Sequence, residues 1–152
     1  MGQRQSRSRD SYMRKIDFMF YHEKEIREAV YRARMTNGIS SGTLKLINTG
    51  GISDPTAMQA VSNLTPLKKV VISDGEIIEC PERWLEVIDK TYRYCATAND
   101  CRLEVAKRRY RSEDYRKTCI DLNISDSTRR RLLELVKMYA ALQAVQLNLI
   151  YV

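Results

Sequence analysis

The stretch LNISDSTRRRLL, from Leu122 to Leu133, gives the clearest indication of the fold of the C-terminal half of the chain. Ile124 is expected to turn inward and fill the space between two helices, and Ser125 is a residue type that caps the helix that follows it. A helix, a turn of three or four residues and a second helix with a polar, basic first turn have the layout of a helix-turn-helix. The stretch therefore predicts a helix after Ser125 whose N-terminal residues enter the major groove of duplex DNA.

Three consecutive arginines belong to the first turns of this helix. At 3.6 residues per turn they spread over about 200°, so they cannot all face one groove. We expect one or two to reach bases, where bidentate arginine to guanine is the commonest specific contact, and the others to hold phosphates. Asp126 is expected either to accept from a cytosine or to orient an arginine. The predicted DNA-binding residues are Lys107, Arg108, Arg111, Tyr115, Arg116, Ser125, Asp126, Ser127, Thr128, Arg129, Arg130 and Arg131.

The pattern of the whole chain predicts a mostly α fold, with a C-terminal helix-turn-helix domain, an N-terminal helix and a small β-hairpin. Asn37-Gly38 is expected to end the N-terminal helix. The predicted segments are a basic flexible arm over 1–12, the N-terminal helix over 13–36, a glycine-rich linker over 37–53, a short helix plus hairpin over 54–80, and a helical domain over 81–152 with the helix-turn-helix at about 101–145.

Local patterns also predict which residues turn inward. Asp74-Gly75 between two β-branched runs predicts a two-residue hairpin turn with positive φ at both positions. Pro81 is expected to begin a helix whose apolar stripe includes Trp84. In the helix before the turn we expect Tyr115, Cys119, Ile120 and Leu122 to be buried, and in the helix after it Leu132, Leu135, Val136, Tyr139 and Leu142.

Composition narrows the class of protein. The 152 residues carry 26 Lys and Arg against 19 Asp and Glu, a formal net charge of +7. Residues 1–15 hold five basic groups and one acidic group, and residues 101–152 hold eleven and six, so both ends are positive. This distribution suits a polyanion, either nucleic acid or a membrane surface. No apolar run is long enough for a spanning helix and no signal peptide is evident, so we expect a cytoplasmic protein.

The residues give no indication of an enzyme. Four cysteines in no zinc-site spacing and a single histidine, His22, predict no metal, and no glycine-rich loop leads into a phosphate-binding lysine. We therefore expect no cofactor and no catalytic residues. The first residues, MGQRQS, match a myristoylation pattern, which with the arginines that follow would give a membrane anchor. A membrane anchor is therefore an alternative to DNA binding.

Two stretches resemble the RinA/ArpU family of bacteriophage late-gene transcriptional activators. GGISDPTA, from Gly50 to Ala57, is similar to the family's glycine-rich segment and the helix start that follows it. LNISDSTRRRLL is similar to the family's turn and recognition helix, which is itself similar to region 4 of sigma factors. The chain departs from the family at Arg129, where an apolar or aromatic residue is common, and at Leu132, where a polar one is common.

The resemblance covers about residues 50–150 and implies a sequence-specific DNA-binding protein encoded by a phage or prophage. It would act in the bacterial cytoplasm to activate the late genes for packaging and morphogenesis, and it could contact host RNA polymerase. The alternatives are a DNA-packaging recognition subunit (small terminase) and a sigma-like adaptor that binds RNA polymerase. Self-association is also open, because the apolar end of the chain, LQAVQLNLIYV, suits either a partner helix or packing back onto the helical domain.

Overall fold

A computed structural model describes the backbone of residues 3–43 and 65–151 and the side chains of residues 11–36 and 65–151. These residues are mostly helical and include one small antiparallel hairpin, so the predicted mostly α class is confirmed. The predicted short helix and most of the glycine-rich linker lie outside the described residues. The elements are α1 (Gln3–Tyr21), α2 (Glu23–Thr43), β1 (Lys69–Val71), β2 (Ile77–Glu79), α3 (Pro81–Thr97), α4 (Arg102–Tyr110), α5 (Tyr115–Asp121) and α6 (Asp126–Gln146).

The chain divides into two compact units. Met1–Glu23 and Arg83–Val152 form one, and Lys24–Glu82 form the other. All twelve predicted DNA-binding residues belong to the first unit. The hairpin belongs to the second, where Glu82 pairs with Arg34.

The N-terminal predictions need three corrections. Residues 3–12 are the beginning of α1 instead of a flexible arm, and the predicted single helix is interrupted at His22. In addition, α2 continues through Asn37-Gly38 as far as Thr43. Serine, glutamine and arginine are compatible with a helix, and a glycine inside one costs only about 1 kcal/mol relative to alanine. Neither composition nor a single glycine was therefore enough to place the ends of these helices.

The hairpin is confirmed, but its predicted turn is wrong. β1 pairs with β2 so that Val70 lies opposite Ile78, and both side chains are buried. Among the described residues of the loop only Gly75 has a positive φ, +86°, and Asp74 does not share it. The Gly75 amide donates to the Ile72 carbonyl at 3.0 Å. This is the geometry of a three-residue loop with glycine at its last position, which needs one left-handed residue instead of two.

The predicted helices of the C-terminal half are confirmed, since α3 begins at Pro81 and α4, α5 and α6 follow with two short breaks. The predicted inner face of α6 is partly wrong, because Leu135 and Leu142 are exposed. This helix carries apolar residues on two opposite sides, so helical spacing alone did not identify the buried one. The buried residues of α6 are Leu132, Leu133, Val136, Ala140, Gln143 and Ala144.

The inner face of α5 also differs from the prediction. Tyr115 and Ile120 are exposed, and Thr118 is the buried residue of the helix. The Thr118 hydroxyl donates to the Asp114 carbonyl at 3.1 Å, which satisfies its hydrogen-bonding capacity inside the fold. A helix of two turns offers too few positions for apolar spacing to fix its orientation.

Asp17 connects three helices of the first unit. Its Oδ1 accepts a hydrogen bond from the Tyr110 hydroxyl on α4 at 3.0 Å, and its Oδ2 pairs with Lys137 on α6. Burial is the largest cause of a raised pKa for Tyr110, and the nearby Asp17 carboxylate adds to it, so the phenol remains a donor. This half-buried carboxylate therefore holds α1 against the pair α4 and α6.

We expect Asp17→Asn to lower the free energy of unfolding by about 1 kcal/mol, because the amide keeps an acceptor for Tyr110 but loses the charge that pairs with Lys137. Urea unfolding followed by circular dichroism measures the change. The matched control is Asp74→Asn in the exposed hairpin loop, which makes the same chemical change and should stay within about 0.5 kcal/mol of the unaltered chain. Equal stabilities for the two variants would contradict the role of Asp17.

Candidate nucleic-acid interface

The start of α6 is capped as the sequence predicted. Ser125 has extended backbone angles, φ −73° and ψ 158°, and its Oγ accepts from the Thr128 amide at 3.1 Å. The same oxygen lies 2.8 Å from the Ser127 hydroxyl and 2.9 Å from the Thr128 hydroxyl. Three hydroxyl groups therefore meet at the first turn of the helix, and Ser125 and Ser127 are exposed to solvent.

The turn before α6 is held by apolar contacts. Leu122 and Ile124 are partly buried and pack against a cluster formed by Val105 of α4 with Leu132 and Leu133 of α6. Hydrophobic residues at both ends of a short turn fix the angle at which one helix leaves the other. The predicted inward position of Ile124 is confirmed, and the first turn of α6 is thereby kept at the surface.

Asp126 binds the arginines that follow it. Its Oδ1 accepts from Nε and Nη2 of Arg129 at 2.9 and 2.6 Å, and its Oδ2 pairs with Nη2 of Arg130 at 2.8 Å. The hydrogen bonds from Arg129 are the largest cause of a pKa of Asp126 below its ordinary value. The sequence left two roles open for Asp126, accepting a hydrogen bond from a cytosine or orienting an arginine. In the structure its carboxylate orients arginines.

The three consecutive arginines have different surroundings because each points in a different direction. Arg129 lies seven residues before the buried Val136, close to two full turns, so it is on the inner side of α6. Its side chain is only 12% exposed, whereas that of Arg130 is 74% exposed. Arg131 is also exposed. Arg130 and Arg131 are thus the members of the triplet that face solvent.

An aromatic ring joins α5 to the start of α6. The guanidinium of Arg129 lies 5.1 Å from the centre of the Tyr115 ring, and that of Arg116 lies 5.8 Å from it. Both distances fall within the range of cation–π attraction. Asp114 caps α5 by accepting from the Arg116 amide at 3.0 Å. The predicted residues Tyr115, Arg116 and Arg129 are therefore brought together beside the first turn of α6.

The predicted basic residues of α4 are in three different environments. Arg108 is 19% exposed and binds carboxylates around it: Glu104 at 3.0 Å, Asp121 at 2.6 Å and Glu113 at 4.0 Å. Its guanidinium thus ties α4 to α5. Lys107 is half-buried, and Arg111 is exposed at the end of α4. Of the three basic residues predicted to bind DNA here, Arg111 is the one with an exposed side chain.

Two basic side chains outside the twelve predicted residues are exposed on α4 and α5. Lys117 is exposed on α5, directly after Arg116. Arg109 is exposed on α4 and lies 5.5 Å from the centre of the Tyr21 ring. The sequence did offer a signal for Lys117, because it is a basic residue directly after the predicted Arg116. All three consecutive arginines were included in the predicted site for this reason, but Lys117 was not.

Among the side chains of residues 11–36 and 65–151, no three His, Cys, Asp or Glu are grouped so that they could hold a metal ion. No described helix combines the length and apolar character needed to cross a bilayer.

All four cysteines are free thiols, and burial raises the pKa of Cys95 to about 11. This thiol therefore stays protonated at neutral pH.

We expect the Asp126 carboxyl to titrate below its ordinary value of 3.8, because Arg129 and Arg130 stabilise its charged form. Because the pKa of Asp126 is lower in the folded chain than in the unfolded chain, the contact contributes its full stability above the unfolded pKa. That stability is lost as the pH falls through the lower, folded-state pKa. Carbon-13 NMR of the side-chain carboxyl measures the midpoint. Arg129→Lys removes the two-nitrogen contact and should move the midpoint upward, while Arg83→Lys should not. If the Asp126 midpoint is unchanged in Arg129→Lys, the contact with Arg129 is not the cause of the lowered pKa.

No protein-family model, curated protein or solved structure that we compared with the chain matches it.

Proposed function

We propose that the chain is a sequence-specific DNA-binding protein that uses α5, the turn and α6 as a helix-turn-helix, and that it activates transcription of phage late genes. The observation that carries the proposal is the exposure of Arg130 and Arg131 at the capped, solvent-facing start of α6. Arginine presented on the first turns of a recognition helix is the side chain best suited to read guanine.

The start of α6 also supplies electrostatic attraction for phosphate. Backbone amides in the first turn of a helix have no partner within the helix, and the dipole places partial positive charge there. Exposed Ser127 can donate a hydroxyl hydrogen bond to a phosphate oxygen at the same place. This end of α6 is therefore suited to lie against the DNA backbone at the edge of the groove.

The surrounding residues divide into groups that contact DNA and groups that hold the contacts in position. In the proposed complex Arg130 and Arg131 reach base edges, and the exposed Arg111, Arg116 and Lys117 hold phosphates. Arg129 is a positioning residue, because its guanidinium is already bound by Asp126 and stacked near Tyr115. Arg108 on α4 is also a positioning residue, because its guanidinium is bound to carboxylates and is not free to hold a phosphate.

The regulatory part of the proposal is supported by the resemblance to the RinA/ArpU family. It is tested by the DNA that the purified chain retains from fragments of the genome that encodes it. Retention of a fragment just ahead of the packaging genes agrees with an activator. Retention of a fragment inside those genes would point to the packaging subunit, and retention of none would contradict DNA binding itself.

With the retained fragment as the operator, we expect Arg130→Ala or Arg131→Ala to weaken binding by about 1–3 kcal/mol, or about 5- to 150-fold, and to relax the preference at one base pair. Fluorescence anisotropy at fixed salt measures the affinity. The control is Arg83→Ala, which removes the same charge near the other end of α6, where Arg83 donates to the Leu147 carbonyl at 3.4 Å. If both arginine variants of α6 bind like Arg83→Ala, the recognition-helix assignment is wrong.

A further inference from the structure

The side of α6 that faces away from the core carries an apolar stripe. It consists of Leu135, Met138, Leu142 and Val145, which are between 38% and 58% exposed. We propose that this stripe is a seam at which two copies of the chain pair, α6 against α6 in antiparallel orientation. The orientation rests in part on the proposed function, whereas the pairing does not.

The spacing of the stripe suits a helix–helix seam. Its residues follow one another at intervals of three, four and three, the repeat that keeps apolar side chains on one line where two helices cross at a small angle. At about 100° per residue, the centre of the stripe lies about 140° around α6 from the centre of the buried Leu132, Val136 and Ala140. The helix therefore has one face for the core of its own unit and a second face on which the four apolar side chains remain 38–58% exposed.

The chemistry of this region favours a second copy as the occupant. From Met138 to Val152 the sequence contains no Asp, Glu, Lys or Arg, although 30% of the chain is charged. Loss of charge is characteristic of the centre of protein interfaces. Two copies that each carry +7 repel one another, so they meet at least cost along a neutral surface. An acidic partner would be attracted instead to the basic surface around the start of α6.

The stripe is symmetric when it is read in either direction. A twofold axis between Met138 and Leu142 places Met138 of one copy against Leu142 of the second, and Leu135 against Val145. Such a self-complementary patch is what a closed twofold dimer requires. Arg131 lies one turn before Leu135 and thus beyond the end of the seam.

Antiparallel pairing also places the two DNA-binding ends at a useful separation. The first turn of each α6 is about 12 residues from the twofold axis, so the two first turns are about 36 Å apart at 1.5 Å per residue. Successive major-groove half-sites on one face of DNA are about 34–36 Å apart. Parallel pairing would bring the two ends within about 10 Å, which is too close for two half-sites.

A seam of four side chains is smaller than the roughly 800 Å² per partner of a stable complex. We therefore expect reversible pairing at micromolar concentrations, and tighter pairing on DNA that carries two half-sites, where the second contact becomes intramolecular.

The test of pairing is sedimentation velocity of the full chain between about 1 and 200 µM, without DNA. The unaltered chain should form dimers as concentration rises, and Leu142→Glu should raise the dimer dissociation constant at least tenfold without touching the core. The matched control is Ile120→Glu on α5, an exposed apolar residue outside the stripe, which should behave like the unaltered chain. A chain that stays monomeric throughout, or a Leu142→Glu variant that pairs normally, would overturn the proposal.

The test of orientation is disulfide formation between Met138→Cys and Leu142→Cys variants under mild oxidation, with the unaltered chain as the background for the native cysteines. Antiparallel pairing predicts a new cross-linked dimer when the two variants are mixed, and much less in either alone. Cross-linking within each variant alone would overturn the orientation. Because neither measurement contains DNA, a failure of the seam is distinct from a failure of the proposed DNA binding.

Discussion

The contact of Leu132 and Leu133 with Val105 is the constraint on which the rest of the first unit depends. These three buried side chains, closed off by Ile124 in the turn, fix where α6 begins and which side of it faces inward. Once that side is fixed, the helical period directs Arg130 and Arg131 to solvent and Arg129 to the ring of Tyr115. The apolar packing thus fixes the orientation of α6, and this orientation alone places Arg130 and Arg131 at the surface.

The arginines of this unit serve two different purposes. Arg108 and Arg129 are largely buried and bound to carboxylates, so they join α4 to α5 and hold the first turn of α6 in shape. Arg111, Arg116, Arg130 and Arg131 are exposed and keep donors directed to solvent. Net charge alone does not separate these groups, because each arginine contributes equally to the +7 of the chain. The proposed division between bases, phosphates and positioning follows from the partners of each side chain.

Sequence reasoning located α3 to α6 and the Ser125 cap, because proline, serine and a single apolar period leave few alternatives at those positions. It misplaced Leu135 and Leu142, since α6 has apolar residues on two sides and the choice of core face depends on Val105, which is distant in sequence. It also missed the contact of Arg129 with Tyr115, because that pair is brought together only by the turn. At the N-terminus, a polar composition did not distinguish an arm from the helix that begins at Gln3.

The most direct test of whether the start of α6 binds DNA is a map of backbone amide chemical-shift changes when nitrogen-15-labelled chain is titrated with a DNA duplex that it retains. We expect the largest changes from Ser125 to Arg131, smaller ones around Arg116, and little change in the hairpin from Lys69 to Glu79. A map in which the start of α6 is unaffected while other surfaces respond would contradict the account.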